Sequence, residues 1–233
     1  MGKDVIIACD FASRNEVLDF LSLFPTRKPF VKIGMELFYA EGPAIVREIK
    51  ARGHQIFLDL KLHDIPNTVR KTMAVLSQLD IDMTNLHAAG ASAMMKDALR
   101  GLIRSDGTRP LLIAVTQLTS TDSNALKEEL LIPLPMEEVV LRYAKNAAAA
   151  GLDGVVCSPL EASRVHSTCG RHFLTVTPGI RFADAQKDDQ VRIMTPEQAR
   201  LIGSDYIVVG RPITAAADPT AAYLRCVQEF VES

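Results

Sequence analysis

Hydrophobic and polar residues alternate most cleanly in the stretch Gln55 to Thr68, QIFLDLKLHDIPNT. Ile56, Leu58, Leu60 and Leu62 share one face of an extended strand, and Phe57, Asp59 and Lys61 share the other. A surface strand would turn its charges to water. A strand of a closed parallel barrel instead covers its aliphatic face with helices and aims the other at the barrel axis, here with Asp59 and Lys61 near its C-terminal end. Asp64 follows where the chain leaves the strand. Such charges at a barrel mouth are costly to desolvate, so they form either a structural ion pair or a chemical device.

The same pattern recurs along the chain. Val5 to Cys9 is an apolar run ending at Asp10. Ser13 and Glu16 then make a capping-box pattern before Val17, Leu18, Leu21 and Phe24 at helical spacing. Phe30 to Gly34 reads as a second strand with Lys32 opposite Val31 and Ile33, and Leu37 to Arg52 as one helix closed by Gly53. After the third strand, Pro66 opens a helix to about Leu79, with Val69, Met73 and Leu76 on one side. Strands are expected at Asp82–His87, Pro110–Thr116, Gly154–Cys157, Phe173–Val176 and Tyr206–Val209. The intervening helices are Gly90–Ile103, Met136–Ala150, Leu160–Thr168 and Pro196–Ile202. Two long polar excursions, Gln117–Pro135 and Gly179–Met194, interrupt the rhythm; the first holds an amphipathic piece, Ala125–Leu131. Asp218-Pro219 starts a last helix with Tyr223, Leu224, Val227, Phe230 and Val231 as its apolar stripe. Eight strand–helix alternations with no linker predict an α/β fold, a single (β/α)8 TIM barrel filling residues 1–233 as one catalytic domain. A doubly wound open sheet fits less well, because no Gly-x-Gly-x-x-Gly follows the first strand.

Composition narrows the function classes. The chain has 233 residues, 48% hydrophobic and 23% charged, with 26 basic and 28 acidic residues for a formal charge of -2. No basic block occurs, which argues against nucleic-acid binding. No long apolar run occurs, and the charged start MGKDVIIACD leads straight into a strand, so neither a signal peptide nor a membrane span is expected. Cys9, Cys157, Cys169 and Cys226 are widely spaced and read as buried apolar residues in a reducing compartment. A cytoplasmic enzyme or binding protein is the expectation.

In such a barrel the chemistry collects at the C-terminal strand ends. Those positions hold Asp10, Lys32, the Asp59-Lys61-Asp64 group, His87, Thr119, Pro178-Gly179-Ile180-Arg181 and Gly210-Arg211. His87 fits a structural histidine better than a base. Gly179 and Gly210 would let backbone N–H groups approach an anion, and Arg181 and Arg211 can bind phosphate oxygens bidentately. Two solvated arginines are the plain alternative to a phosphate site. Flanking aspartates would raise a lysine pKa, which disfavours a Schiff base. Interleaved ammonium groups disfavour magnesium, and no redox-cofactor fingerprint is present. An alternating Asp-Lys array can hold a lysine protonated beside a buried anion, to stabilise a carbanion and then protonate it.

DLKLHDIPNTV, with FVKIG before it and VTPGIR and YIVVGR after it, resembles orotidine 5′-phosphate decarboxylase over essentially the whole chain. The resemblance implies that orotidine 5′-phosphate gives UMP and carbon dioxide, the last step of de novo pyrimidine nucleotide synthesis, with no metal or organic cofactor. It implies Lys61 as proton donor within an array of Lys32, Asp59, Lys61 and Asp64, with Asp64 supplied by the other subunit of a homodimer. Asp10 and Lys32 match ribose contacts. Ile65 and Thr68 match positions that line the pocket, with Thr68 also expected to reach the ribose from the partner chain. Thr119 matches the pyrimidine contact, Pro178 belongs to the substrate-binding set, and Gln190, Gly210 and Arg211 match the phosphate end, with Arg181 beside them. Two other functions compete: a magnesium-dependent sugar-phosphate decarboxylase or lyase of the same barrel suprafamily, and a non-catalytic nucleotide-binding protein.

Overall fold

Short apolar runs bounded by turns become strands because burial on both faces rewards continuous aliphatic sequence. The computed structural model describes residues 3–183 and 194–232. Among them are eight parallel strands: β1 (Asp4–Ala8), β2 (Phe30–Gly34), β3 (Ile56–Leu62), β4 (Met83–His87), β5 (Leu111–Val115), β6 (Gly154–Val156), β7 (Leu174–Thr177) and β8 (Tyr206–Val209). They follow chain order around a closed barrel, sealed by the pairing of β1 with β8. Outside lie α1 (Arg14–Ser22), α2 (Met35–Glu41), α3 (Pro43–Ala51), α4 (Pro66–Leu76), α5 (Ala91–Leu102), α6 (Met136–Ala149), α7 (Ala162–Cys169), α8 (Pro196–Ile202), α9 (Arg211–Thr214) and α10 (Pro219–Val227). The expected (β/α)8 TIM barrel is the observed fold.

The alternation sorts the strands into two cores. Ile56, Leu58 and Leu60 join the layer between barrel and helices, while Phe57 packs inside the barrel with Ile6, Phe30, Met83, Ile113 and Tyr206. At the N-terminal ends of the strands, aspartates tie the sheet together. Asp82 accepts the Ile56 N–H, Asp153 the Leu112 N–H, and Asp205 the Thr175 N–H, each bond closing one strand onto its neighbour. Lys50, Arg109 and His166 pair with these same carboxylates. That face holds structure together and leaves the opposite mouth for chemistry.

Three expectations need correction. The helix expected over Leu37–Arg52 is two helices, α2 and α3, broken at Gly42. Gly42 takes φ +67°, and Pro43, which has no N–H to give the ladder, starts the second helix as its first residue. Leu224 leaves the apolar stripe of α10 at 49% exposure, and Cys226 is buried there instead. Cys169 is only half-buried, unlike the other three cysteines.

Gly101 explains how α4 and α5 approach each other. A Cβ placed there would lie 2.2 Å from the Arg70 carbonyl oxygen, a backbone atom that cannot swing away. Gly101→Ala is therefore expected to destabilise the fold by about 1–3 kcal/mol through overpacking, even though alanine is the better helix former. Thermal melting checks this: an unchanged or raised midpoint would mean that the two helices separate at no cost.

Candidate active site

Interior positions near the C-terminal ends of β2, β3 and β4 carry the polar side chains. Lys32 follows Phe30 on β2, Asp59 and Lys61 follow Phe57 on β3, and Asn85 follows Met83 on β4. Each strand thus changes from apolar to polar as it rises to the mouth. The charges form a continuous chain. Lys32 Nζ donates to Asp10 Oδ1 at 2.9 Å and stands 3.4 Å from Asp59 Oδ2. Lys61 Nζ donates to Asp59 Oδ1 at 2.7 Å. Asn85 Nδ2 donates to the same oxygen at 2.6 Å.

Burial alone would push the Asp59 carboxyl up. The Lys32 and Lys61 charges, with hydrogen bonds from Lys61 and Asn85, reverse this and hold it below the ordinary carboxylate range. Burial likewise pulls Lys32 down, and Asp59 and Asp10 more than offset it, so its pKa is raised. Asp59 is ionised and Lys32 protonated at neutral pH. Gly34 makes room for this pairing: a Cβ there would sit 3.2 Å from Asp10 Oδ1 and 3.3 Å from Lys32 Nζ.

Lys32, Asp59, Lys61 and Asn85 line one side of a cavity of about 180 Å³. Opposite them, β5 to β8 and the residues following β5 and β7 contribute Val115, Leu118, Val156, Val176, Pro178 and Val208. The cavity therefore has a charged wall and an apolar wall, with Gln117 and Thr119 at its rim. Cys157 also lines it, but burial pushes its thiol well up, which removes it as a thiolate nucleophile. His87 lies beside the array with its ring 5.9 Å from that of His63. Its pKa is lowered, first by burial and then by His63 and Lys61, so it adds no cation.

Of the residues expected in the site, Lys32, Asp59, Lys61, Thr119 and Pro178 line the cavity, and Asp10 joins through Lys32. Asp64, Ile65 and Thr68 do not line it. All three are exposed on the turn and first helical residues after β3, and Asp64 Oδ1 accepts the Ile65 N–H at 2.6 Å. Arg181 follows β7, its Nη1 donating to the Ile180 carbonyl and its backbone N–H to Met194. Gly179 before it takes φ +85°, a conformation that favours glycine. Gly210 and Arg211 open the short helix α9 after β8. Gln190 lies outside the described residues. The sequence reading overlooked Asn85; its signal was a lone carboxamide at an interior position of a short strand.

The family model described as "Orotidine 5'-phosphate decarboxylase / HUMPS family" matches residues 3–226. A relative named orotidine 5′-phosphate decarboxylase from Geobacillus thermodenitrificans is 55% identical over 99% of this chain and 98% of its own. One of the same name from Bacillus cytotoxicus is 54% identical over the same shares. The crystal structure of orotidine 5′-phosphate decarboxylase from Lactobacillus acidophilus is similar with a TM-score of 0.88 and 44% identity, covering 98% of this chain and 99% of that one.

Proposed function

The chain belongs to the orotidine 5′-phosphate decarboxylase / HUMPS family, and from that premise we propose that it converts orotidine 5′-phosphate to UMP and carbon dioxide in pyrimidine synthesis. The observation that carries the reading is the Asp10–Lys32–Asp59–Lys61 chain, of which Lys32, Asp59 and Lys61 line one wall of the cavity. Loss of carbon dioxide breaks the C6–carboxylate bond and leaves its electron pair in an in-plane orbital on C6, outside the ring π system. Only local positive charge can stabilise that pair, and the Lys61 ammonium supplies it. The same ammonium then gives C6 its proton and is recharged from solvent. The Asp59 carboxylate, lying near the substrate carboxylate, disfavours the ground state, and Thr119 contacts the pyrimidine. Gly210, Arg211 and Arg181 take the 5′-phosphate at the ends of β7 and β8, where barrels of this class commonly bind phosphate. Gln190 belongs with them by resemblance.

A magnesium-dependent sugar-phosphate lyase is the less supported reading. Its metal would need an open carboxylate, and Asp59 is enclosed by Lys32, Lys61 and Asn85. The direct test follows the absorbance of orotidine 5′-phosphate in the presence of EDTA. Steady loss supports the proposal. No loss, or loss restored only by magnesium, overturns it; tight UMP binding without turnover would mark a binding protein.

The active unit, in this reading, is a homodimer with shared sites, located in the cytoplasm, each subunit one barrel domain. The support is the placement of Asp64, Ile65 and Thr68, exposed and outside their own chain's cavity, with Ile65 67% exposed. Among the described residues no helix is long and apolar enough to cross a membrane. Mixing inactive Lys61→Ala and Asp64→Ala proteins tests the shared site. Random exchange makes half the dimers mixed, each with one intact site, so about a quarter of wild-type activity should return. Mixtures that stay inactive after subunit exchange is shown by mass would mean that Asp64 serves its own chain.

A further inference from the structure

Resting on this reading, we propose that Asn85 is a positioning residue that holds Lys61 in register with the reacting carbon by binding both its backbone and the carboxylate that its side chain grips.

The need for such a residue arises in the pairing of β3 with β4. Phe57 pairs with Met83 and Leu58 with Thr84, but the next partners are Leu62 and Leu86. Four steps along β3 are matched by two along β4, so the ladder opens between Leu58 and Leu62. Lys61 sits in this opening with φ +50°, a left-handed conformation that a lysine rarely adopts. On the β4 side both Asp59 and Lys61 lie in the irregular stretch. Asp59 still pairs with Gly34 of β2, but Lys61 lies beyond those paired residues, where no regular ladder fixes its direction.

Side chains of β4 replace the missing ladder. Thr84 Oγ1 donates to the Leu58 carbonyl at 3.0 Å. Asn85 Oδ1 accepts the Lys61 backbone N–H at 2.8 Å, and Asn85 Nδ2 donates to Asp59 Oδ1 at 2.6 Å. That same Asp59 oxygen accepts Lys61 Nζ at 2.7 Å. The result is a closed ring, in which one carboxamide is tied to both ends of Lys61. A backbone N–H can only donate and an ionised carboxylate can only accept, so the carboxamide fits in one orientation. Asn85 is fully buried at the edge of the cavity.

A residue that acts through geometry should affect turnover more than binding. The substrate's phosphate is anchored on the far side of the mouth, while a displaced ammonium spoils only the transition state. Kinetics of purified wild type, Asn85→Ala and Asn85→Asp, followed from about pH 5.5 to 8.5 with folding checked by circular dichroism, test this. For Asn85→Ala, kcat should fall by roughly 10²-fold, the scale of a small misplacement of a reacting group, with KM changed far less. In Asn85→Asp the introduced carboxyl, once protonated, offers the same one donor and one acceptor as the carboxamide; ionised, it repels Asp59. The ratio of its kcat to that of wild type should therefore climb as pH falls. Loss of a packing group alone would give no such recovery in fully folded protein. Folded Asn85→Ala within threefold of wild-type kcat overturns the proposal. So does Asn85→Asp that stays inactive at every pH, folded or not, or whose ratio to wild type is flat. If Asn85→Ala does not fold, Asn85→Asp decides. A wild-type protein without decarboxylase activity overturns the functional reading and this inference with it; normal turnover in both variants overturns the inference alone.

Discussion

Replacing Lys61 with alanine is expected to lower kcat for orotidine 5′-phosphate by about 10⁴-fold while the barrel stays folded. Two contributions vanish together. A positioned general acid is worth roughly 10²–10⁴-fold, and a charge aimed at the developing anion roughly 10²–10³-fold. They overlap because one ammonium supplies both, so they do not simply multiply. Folding should survive because Asp59 keeps two partners, Lys32 at 3.4 Å and Asn85 at 2.6 Å. Alanine carries the same Cβ as lysine and tolerates φ +50° no worse. Single-turnover assays with circular dichroism check the outcome. Activity within tenfold of wild type would remove Lys61 from the centre of the mechanism.

Arg211→Ala is expected to reduce kcat/KM on the phosphorylated substrate by about 2–5 kcal/mol, the range for losing one partner of a buried charge pair in a closed site. That corresponds to roughly 30- to 5,000-fold. Arg211 begins α9 directly after β8, and its side chain is exposed on the face that carries the array. In the proposed reading its guanidinium meets the phosphate bidentately and the chemistry at C6 lies across the cavity, at Lys61. The slow reaction of the dephosphorylated nucleoside should therefore hardly change. Comparing the two substrates separates these contributions, and equal losses on both would place Arg211 away from the phosphate.

Much of this architecture was readable from one strand. The alternation of Ile56, Leu58 and Leu60 with Phe57, Asp59 and Lys61 assigned each residue to the outer or inner face, as the two buried clusters bear out for Ile56, Leu58, Leu60 and Phe57 and the cavity lining for Asp59 and Lys61. Periodicity is a local property: which face a side chain takes follows from its neighbours in sequence, and burial then enforces it. Strand ends could be located for the same reason, and with them Lys32, Asp59, Lys61, Thr119 and Pro178 at one cavity. The break at Gly42 had a visible cue in Gly42-Pro43, but the apolar spacing on both sides hid it.

Contacts made across strands were not readable in this way. The register slip between β3 and β4, the left-handed Lys61 and the carboxamide that spans the opening arise from pairing residues about 25 positions apart. Gly34 looked like a strand end, and only its neighbours show that it leaves space for Lys32 and Asp10. Leu224 fits a helical stripe by spacing, yet α10 turns it to solvent because the helix's rotation is set by what it packs against. Local alternation thus settles the fold class and the sign of each face. The distances that set Asp59 ionised between two lysines come from packing one strand against the next.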